Sequence, residues 1–263
     1  MKPVVLTIAG SDPSGGAGLQ ADLKTFHQFG VYGAAAVTLI TVQNTVSVAR
    51  VECLPAELVR EQIRAVLEDM TPAAGKTGAL GNRAIVEAVA EAAAGFDFPL
   101  VVDPVLSSTH GVGLLEQQAR QILLERLLPR AALVTPNLQE ASVLVGFAVE
   151  DLAGMRRAAE ALLKLGCRAV LIKGGHLPSS ATDVLWAEGR FYEFSAPRIA
   201  THHTHGSGCT YSAAIAAGLA RGLPLVEAVQ IAKAFVTEAI RTHPGLGRGA
   251  GPLNHHARTG LPE

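Results

Sequence analysis

The sequence predicts an α/β protein whose central, mostly parallel sheet is covered by helices on both faces. Short apolar runs alternate with longer amphipathic runs along nearly all of the 263 residues. The apolar runs show no two-residue alternation, which is typical of strands that are buried on both faces. Strands that alternate with helices are joined by right-handed crossovers, and such crossovers give parallel sheets.

The individual elements follow from these patterns in chain order. Runs rich in Val, Leu and Ile predict strands at residues 4–9, 35–42, 99–102, 131–134 and 169–172. Stretches with helical periodicity predict helices at residues 18–29, 55–69, 82–94, 115–127 and 151–165.

The alternation ends near residue 180. Residues 182–194 predict an antiparallel hairpin at one edge of the sheet, with Glu188-Gly189 as its turn, and helices follow at 209–221 and 225–242. The segment from His243 onward is rich in Gly and His and predicts no regular element, so His255 and His256 are expected to be solvated. Without a repeat or a linker, residues 1–263 are expected to form one domain.

Composition excludes several classes of function. The 22 basic and 23 acidic residues leave no positive surplus for a phosphate backbone, so no nucleic-acid partner is expected. The three cysteines are an odd and scattered set, which disfavours a disulfide framework. They form no Cys-x-x-Cys pair, which disfavours a thiolate zinc site. No apolar run reaches transmembrane length and no signal-peptide pattern is present. We therefore expect a cytoplasmic protein without a membrane partner.

Two glycine patterns resemble nucleotide-binding motifs. Residues 16–21 fit G-x-G-x-x-A, but the second strand ends at Val42-Gln43-Asn44 without the acidic residue that a dinucleotide site needs. Residues 75–77 resemble the end of a P-loop, but Met70 stands where that motif needs Gly. The surviving interpretation of residues 10–18 is a glycine-rich loop that lets a small ligand approach the backbone.

The run THGSGCT, residues 204–210, opens a predicted helix. Unpaired amides at a helix start, together with the helix dipole, favour a bound anion such as a phosphoryl group. Cys209 would lie at this terminus, where the pKa of a thiol tends to fall. The alternative interpretation is a glycine-rich turn around a small buried cysteine, and the motif alone does not choose between them.

Polar residues follow three predicted strands, at the sheet edge where open parallel sheets bind ligands. They are Asp103, Asn137, Glu140 and Lys173. Together they could hold a magnesium–phosphate complex, whereas each alone would be read as a helix cap or a surface ion pair. His202, His203 and His205 lack the defined spacing of metal ligands. Residues 107–113 have the Ser and Gly content of a mobile loop over a substrate.

Six motifs, taken in order, resemble one known family. They are TIAGSDPSGGAGLQADLKTF, VQNT, VVDPV, TPNLQEA, LIKGGH and THGSGCTYSAAIA. They resemble the hydroxymethylpyrimidine/phosphomethylpyrimidine kinases of thiamin biosynthesis, which belong to the ribokinase-like superfamily, from residue 4 to about residue 256. The resemblance implies a ribokinase-like fold, ATP and Mg²⁺ as cofactors, and a homodimer that uses part of the sheet edge. It also implies phosphorylation of 4-amino-5-hydroxymethyl-2-methylpyrimidine to its monophosphate and then to the pyrophosphate.

The resemblance also implies roles for particular residues. Substrate contacts fall on Gln43, which hydrogen-bonds the pyrimidine, and on Gly10, Ala17, Asp22, Ala79 and Val105. Nucleotide contacts fall on Lys173, Asn137, Thr204, Gly206 and Gly208, and Mg²⁺ falls to Asp103, Asn137 and Glu140, directly or through water. The anion hole is formed by Gly206, Ser207 and Gly208. Cys209 would be the general base for the hydroxymethyl group, so Cys209→Ala should slow the first transfer more than the second.

Two departures from the family pattern leave alternatives open. Ala79 stands where relatives often carry a Met, which implies a roomier pocket and keeps a pyridoxal or pyridoxine kinase as the rival function. His202-His203 replaces a stretch that commonly contains Asn or Lys, so nucleotide contacts there are unassigned. A rival of another class is a non-catalytic pyrimidine-binding regulatory module. That protein should have lost Lys173, Cys209 or the glycines, and all are present.

Overall fold

Nine strands and eight α-helices are formed by the residues that the computed structural model describes, which are 2–108, 111–175, 177 and 181–261. The strands are β1 (Val4–Ser11), β2 (Tyr32–Gln43), β3 (Val48–Cys53), β4 (Pro72–Thr77), β5 (Leu100–Val102), β6 (Leu133–Val134), β7 (Val170–Ile172), β8 (Ala181–Ala187) and β9 (Arg190–Ala196). The helices are α1 (Gly18–Gln28), α2 (Ala56–Asp69), α3 (Arg83–Ala93), α4 (Gln117–Ile122), α5 (Leu138–Val145), α6 (Leu152–Leu163), α7 (Ser207–Ala220) and α8 (Leu225–Arg241). Helix α4 continues through a π-turn and a 3-10 turn to Arg130.

All nine strands belong to one sheet, in the order β3-β2-β1-β4-β5-β6-β7-β8-β9. The pairs from β2 to β7 are parallel, whereas β3 pairs antiparallel with β2. Strands β8 and β9 complete the other edge as an antiparallel hairpin. The predicted fold class is therefore confirmed, and the edge strand β3 is an addition to it.

Two apolar cores lie on opposite faces of the sheet. One contains buried residues of α2 to α6, such as Ile63, Val89 and Met155, and the other contains those of α1, α7 and α8, such as Phe26 and Phe235. Because both faces are covered, the central strands β5, β6 and β7 are continuous apolar runs. The absence of alternation in the sequence has this cause.

The hairpin turn adopts the backbone that its sequence predicts. Glu188 and Gly189 both have positive φ, at 54° and 78°, which is the combination that a type I′ turn requires. Strands β8 and β9 then pair in register from Ala181 with Ala196 to Ala187 with Arg190. The prediction of a hairpin with this turn is confirmed.

The C-terminal segment differs from the expectation. It is irregular, as predicted, but it is packed against the body of the protein, and His255 is only 6% exposed. The prediction that His255 is solvated is wrong, because its ring lies against Thr210 of α7. Within the described ranges, no helix combines the length and apolarity needed to cross a bilayer.

Candidate active site

The candidate site lies where the strand order changes direction. The chain passes from β1 outward to β2 and β3 and then returns to β4 on the other side of β1. In open α/β sheets, the crevice at the carboxyl ends of the strands beside such a switch point is the usual ligand site. A cavity of about 260 Å³ opens there, between the loop after β1, the ends of β2, β4 and β5, and the start of α7.

The predicted site residues converge on this cavity. Its walls include Gly10, Ala17, Gln43, Ala79, Asp103, Val105, Asn137, Glu140, Lys173, Thr204, Gly206, Ser207, Gly208 and Cys209. They come from seven segments that are far apart in sequence, and the parallel sheet brings them to one edge. Asp22 is the one predicted site residue that does not line this cavity.

The cavity has an apolar part and a polar part. Leu39, Ala79 and Val105 supply apolar surface, while Thr41 and Gln43 from the end of β2 supply hydrogen-bonding groups. Apolar walls with a few placed polar groups are typical of sites for small, partly apolar ligands.

A second cavity of about 550 Å³ adjoins the first, between the ends of β7 to β9 and helix α8. Asn137, Lys173, Thr204, Ser207 and Gly208 line both cavities. A ligand in one cavity therefore meets a ligand in the other at the N-terminus of α7.

The start of α7 is shaped by Gly206, whose φ of 81° lies in the left-handed region. A Cβ at this position would collide with the carbonyl oxygen of Gly16, so only glycine brings the two loops into contact. Ser207 N–H donates to the carbonyl of Thr204, at 3.1 Å, and Thr210 N–H begins the helical pattern by donating to Gly206 O. The amides of Gly208 and Cys209 lie between them, before the first helical donor, and suit an anion.

Lys173 provides a fixed positive charge beside these amides. Its Nζ donates to Asp103 Oδ1 at 2.8 Å, and a Cβ added at Gly208 would lie 3.2 Å from that Nζ. Asp103 also accepts from Thr135 and Ser212. Burial alone would raise the pKa of Asp103, but Lys173, Lys76 and the hydrogen bond from Thr135 lower it. Burial opposes the charge on Lys173 too, and Asp103 nevertheless raises its pKa.

Asn137 and Glu140 form a capping box at the start of α5. Glu140 N–H donates to Asn137 Oδ1 at 2.9 Å, and Asn137 N–H donates to Glu140 Oε2 at 2.8 Å. Burial raises the pKa of Glu140 to about 7, although Lys173 acts to lower it. Among the described residues, no group of three His, Cys, Asp or Glu side chains is placed to hold a metal ion by itself. These two residues therefore cap a helix and also border the cavities.

Cys209 lies in the first turn of α7, partly exposed to the cavity. Burial raises the pKa of its thiol to about 11, and the nearby ammonium of Lys76 offsets only part of that rise. The prediction that the pKa of this thiol falls is wrong, because burial raises the pKa by more than Lys76 and the hydrogen bond from the Gly18 backbone lower it. The thiol is protonated at neutral pH.

Asp22 lies inside the protein and not in the cavity wall. Both of its oxygens accept from Lys76 Nζ at 2.7 Å, and Thr7 Oγ1 donates to Oδ2 at 2.6 Å. Asp22 and Lys76 both have 0% exposure. The structure thus separates Asp22 from the predicted substrate contacts. The ion-pair partner of Asp22 is Lys76, a residue of the incomplete P-loop pattern at residues 75–77.

Asp12 and His205 line the cavity and were missing from the predicted set. His205 Nε2 lies 2.8 Å from Asp12 Oδ2, and both side chains are 3% exposed. Ser14, two residues after Asp12, donates its N–H to Asp12 Oδ1 at 2.8 Å. This Asx-turn was readable from Asp-Pro-Ser, whereas nothing in the sequence pairs Asp12 with a residue nearly two hundred positions away.

His202, His203 and His243 form a separate group of closely spaced rings. The ring of His203 lies 4.0 Å from that of His202 and 4.3 Å from that of His243, measured between centroids. Burial lowers the pKa of His203, and its two neighbours act in the same direction.

Parts of two predicted features lie outside the described residues. These are Thr109 and His110 of the segment 107–113, and His176 of LIKGGH. In the described part of the first segment, Ser107 pairs with Gly113, and Ser107 and Ser108 reach the cavity wall.

Comparison with known proteins identifies relatives over nearly the full length. A family model described as phosphomethylpyrimidine kinase matches residues 12–254. A hydroxymethylpyrimidine/phosphomethylpyrimidine kinase of Haemophilus influenzae is 47% identical, with 98% of each chain covered. One from Bacillus subtilis is 44% identical, and the alignment covers 96% of this chain and 94% of that protein.

Solved structures give the same fold with two kinds of kinase. A phosphomethylpyrimidine kinase from Clostridium difficile superimposes with a TM-score of 0.81 and 42% identity, over 91% of this chain and 100% of that chain. A pyridoxal kinase from Staphylococcus aureus in complex with AMP-PCP and pyridoxal superimposes with a TM-score of 0.89 and 36% identity, over 98% and 95%.

Proposed function

The chain belongs to the phosphomethylpyrimidine kinase family, and from this premise we propose that it phosphorylates 4-amino-5-hydroxymethyl-2-methylpyrimidine and then the monophosphate so formed. The observation that carries the proposal is the meeting of two cavities at one anion site. A phosphoryl donor in one cavity and an acceptor in the other would share the amides of α7 and the ammonium of Lys173. Such an arrangement suits transfer of a phosphoryl group between two bound molecules.

The smaller cavity is proposed as the acceptor site. A pyrimidine ring is planar and partly apolar, which matches the surface formed by Leu39, Ala79 and Val105. Gln43 offers the ring a hydrogen bond, and Gly10 and Ala17 allow the ring to lie close to the backbone. The hydroxymethyl group would then point toward Cys209 and the start of α7.

The larger cavity is proposed as the ATP site. A nucleoside triphosphate is larger than the acceptor and needs the larger cavity. The complex of the Staphylococcus aureus pyridoxal kinase with AMP-PCP supports the use of ATP in this fold. Lys173, Thr204, Gly206 and Gly208 would contact its phosphates. Asn137 borders both cavities and would contact the nucleotide from the start of α5.

Mg²⁺ fits the donor set of Asp103, Asn137 and Glu140 as an ion that keeps most of its waters. The oxygens of these residues already accept hydrogen bonds from Lys173, Ser212 and backbone N–H groups. Glu140 is a buried carboxylate whose pKa burial raises to about 7, although the ammonium of Lys173 acts to lower it. We propose that these residues hold the ion through water, where it would neutralise charge on the triphosphate.

Transfer depends on charge stabilisation more than on proton removal. The equatorial oxygens of the transferred group gain stabilisation from the Gly208 and Cys209 amides and from Lys173, which Asp103 holds in place. The first nucleophile is the hydroxymethyl oxygen. The second is a phosphate oxygen of the first product, which is ionised at neutral pH and needs no base.

Cys209 is proposed as a positioning residue and not as a resting base. A thiol with a pKa of about 11 carries its proton at neutral pH, so it cannot accept another. It can hydrogen-bond the incoming oxygen. In a loose transition state the bond from the γ-phosphorus to the bridging oxygen of ADP breaks as the new P–O bond forms, and the hydroxymethyl proton leaves late, to an oxygen of the transferred phosphoryl group. This replaces the base role that the family resemblance implies.

A pyridoxal kinase remains the second candidate, because Ala79 leaves room in the ring pocket and pyridoxal kinases share this fold. The test is ATP consumption by the purified protein with Mg²⁺ and, separately, hydroxymethylpyrimidine, its monophosphate and pyridoxal. We expect turnover of both pyrimidines at rates well above that of pyridoxal. Turnover of pyridoxal alone would overturn the proposal in favour of the second candidate, and turnover of none would support a binding module.

We also propose one kinase domain over residues 1–263 and a cytoplasmic homodimer joined at the β2–β3 edge. The exposed side chains of Ile40, Val42 and Val46 near that edge support an apolar contact. Light scattering coupled to size-exclusion chromatography should give twice the monomer mass, and Val42→Glu should halve it. A monomeric wild-type protein would refute the dimer.

A further inference from the structure

Two loops on different sides of the proposed reaction are joined by one buried hydrogen bond. The loop of residues 10–18 borders the smaller cavity, where the acceptor is proposed to bind, and the loop of residues 204–208 forms the anion site at the start of α7. Phosphoryl transfer needs the nucleophile and the phosphorus in line and nearly in contact. A contact that fixes one loop against the other therefore controls the geometry of transfer.

Asp12 holds the first loop in shape. Its Oδ1 accepts from Ser14 N–H at 2.8 Å, and its Oδ2 accepts from Ser14 Oγ and from Ala17 N–H, each at 2.9 Å. The N–H of Asp12 donates to Oε1 of Gln20 in α1, at 2.8 Å. Asp12 thus ties the loop to itself and to α1, and it fixes Ala17 in the wall of the acceptor cavity.

His205 reaches from the second loop to the same carboxylate. Its Nε2 lies 2.8 Å from Asp12 Oδ2, and both residues are buried. Burial acts to raise the pKa of Asp12, but hydrogen bonds from His205 and Ser14 lower it well below its usual range. The carboxylate is therefore ionised and can only accept, so His205 Nε2 is the donor.

The C-terminal segment fixes His205 from the other side. The N–H of His205 donates to Gly251 O at 3.2 Å, and His205 forms a parallel bridge with Pro252. A Cβ added at Gly16 would lie 2.6 Å from His205 Cδ2 and 3.2 Å from Pro252 Cβ. The ring thus fills the gap between the two loops, and a shift of either loop must strain its bond to Asp12.

Resting on the proposed function, we infer that the hydrogen bond between Asp12 and His205 sets the distance between the acceptor and the transferred phosphoryl group. His205 directly precedes Gly206 of the anion site, and Asp12 holds Ala17 beside the acceptor. The packing of Gly206 against Gly16 O keeps the loops from coming closer, whereas the hydrogen bond keeps them from moving apart. Asp12 and His205 act through their loops, so both are positioning residues.

The test compares two variants at position 205 with a matched control. His205→Ala removes the donor to Asp12, and His205→Gln keeps a side-chain N–H that can reach the carboxylate. His255→Ala is the control, because His255 is another buried histidine whose ring hydrogen-bonds Thr210 of α7 rather than Asp12.

We expect His205→Ala to slow transfer and to leave binding nearly unchanged. Its single-turnover rate with hydroxymethylpyrimidine should fall about 100-fold, which is the effect of a misplacement of about 1 Å. The KM values for ATP and for the acceptor should stay within about threefold, since each ligand keeps its own contacts. His205→Gln should recover at least about tenfold of the loss, and the rate of His255→Ala should stay within about threefold of the wild type.

Transfer to water gives a readout that a general loosening of the protein would not reproduce. Water is not held by the loop of residues 10–18, so ATP hydrolysis without an acceptor should change by less than about threefold in His205→Ala. A disordered start of α7 would slow hydrolysis and transfer together, because both reactions use the same anion site.

A double variant tests whether the two residues act through one contact. Asp12→Ala removes the acceptor of the hydrogen bond, so adding His205→Ala to it should slow transfer by less than about threefold more. Independent roles would instead give the product of the two single losses, which would overturn the inference. If Asp12→Ala fails to fold, the recovery by His205→Gln decides.

The outcomes separate the inference from the proposed function. A wild type inactive on both pyrimidines refutes the proposed function and the inference with it. An active wild type overturns the inference alone in either of two cases. In the first, His205→Ala raises KM while its single-turnover rate is unchanged, and in the second, its hydrolysis and transfer rates fall by the same factor.

Discussion

Two opposing electrostatic effects act on the thiol at position 209. The N-terminus of α7 and the ammonium of Lys76 favour a thiolate, while the surrounding apolar and acidic groups disfavour it. Burial of a thiolate costs more free energy than is gained from the partial positive charge of the helix terminus and from the ammonium of Lys76, which is already paired with Asp22. The balance leaves a neutral thiol that can hold an oxygen atom in place but cannot take its proton.

The role of Cys209 predicts the pattern of loss in Cys209→Ala. A positioning thiol serves both nucleophiles, so both transfers should slow by similar factors, on the order of tenfold. Separate single-turnover rates with hydroxymethylpyrimidine and with its monophosphate would measure this. A loss confined to the first transfer would show that a thiolate forms in the complex and would restore the base role. Cys167→Ala, at a buried cysteine far from the cavity, controls for loss of a thiol.

The buried pair of Asp22 and Lys76 makes a different prediction at the same scale. Asp22→Asn leaves an ammonium without its counter-ion at 0% exposure, which should lower the free energy of unfolding by about 3–5 kcal/mol. The KM for the acceptor should stay within about threefold, since Asp22 does not line the cavity. Urea denaturation and steady-state kinetics give the two numbers.

An exposed ion pair is the matched control for this variant. Glu87 lies 2.9 Å from Arg83 on the surface of α3, so Glu87→Gln should change stability by less than about 0.5 kcal/mol. A large rise in KM for Asp22→Asn without a loss of stability would instead place Asp22 in contact with the ligand.

At the scale of elements, helix α7 carries a left-handed glycine at each end, and only one touches another loop. Gly206 has φ 81° and lies against the carbonyl of Gly16, whereas Gly222 has φ 82° and nothing lies within 4 Å of an added Cβ.

Gly222→Ala should cost about 1 kcal/mol of strain and leave kcat unchanged. Gly206→Ala has the same strain, and its Cβ would also push the start of α7 away from the loop that contains Gly16. Its kcat should therefore fall by at least about 100-fold. Equal activity in the two variants would refute the close approach.

The elements that the sequence did not predict have identifiable physical causes. Strand β4 reads Pro-Ala-Ala-Gly-Lys-Thr, whose small residues and lysine have low strand propensity, and it is a central strand because tertiary pairing with β1 and β5 overrides that propensity. Helix α5 was readable, because Asn137 and Glu140 have the spacing of a capping box. The long apolar runs and the hairpin turn were predictable, since burial on two faces and positive φ leave direct marks in sequence.

The site residues also differ in whether they have a local signal in the sequence. Residues that end strands or open a helix within a motif, such as Lys173 and Gly208, were found from sequence. Groups defined by a partner far along the chain were missed, as Asp12 was, or misplaced, as Asp22 was. Ion pairing across loops leaves no periodic signal, so only the fold reveals it.

At the scale of the whole molecule, the C-terminal segment ties together parts that lie far apart in the chain. Its hydrogen bonds join Ala257 to Gln28, Gly249 to Thr45, Gly251 to His203 and His255 to Thr210. Thr45 follows Gln43 closely, and His203 and Thr210 flank the anion site. The irregular segment therefore contacts both the loop after β2 and the residues around the start of α7, on two sides of the first cavity.

Docking of this segment should depend on pH through His255. Burial lowers the pKa of His255 to about 4, and Lys24 and His256 act in the same direction, so the folded protein resists protonation that the unfolded chain accepts near 6.5. The stability associated with the neutral ring is present above that value and is lost as the pH falls toward 4. Between pH 7 and pH 5 the loss should be about 2 kcal/mol in the free energy of unfolding.

His255→Gln removes this titration and keeps a side chain able to hydrogen-bond Thr210. Urea denaturation at pH 7 and pH 5 should therefore show a smaller loss of stability on acidification for His255→Gln than for the wild type, by about 2 kcal/mol. His256 is the next residue and is exposed, so His256→Gln should follow the wild type. If His255→Gln loses as much stability on acidification as the wild type, the ring is not buried in its neutral form. The segment would then be held by its other contacts, such as the burial of Leu253 and the hydrogen bond from Asn254 to Thr242.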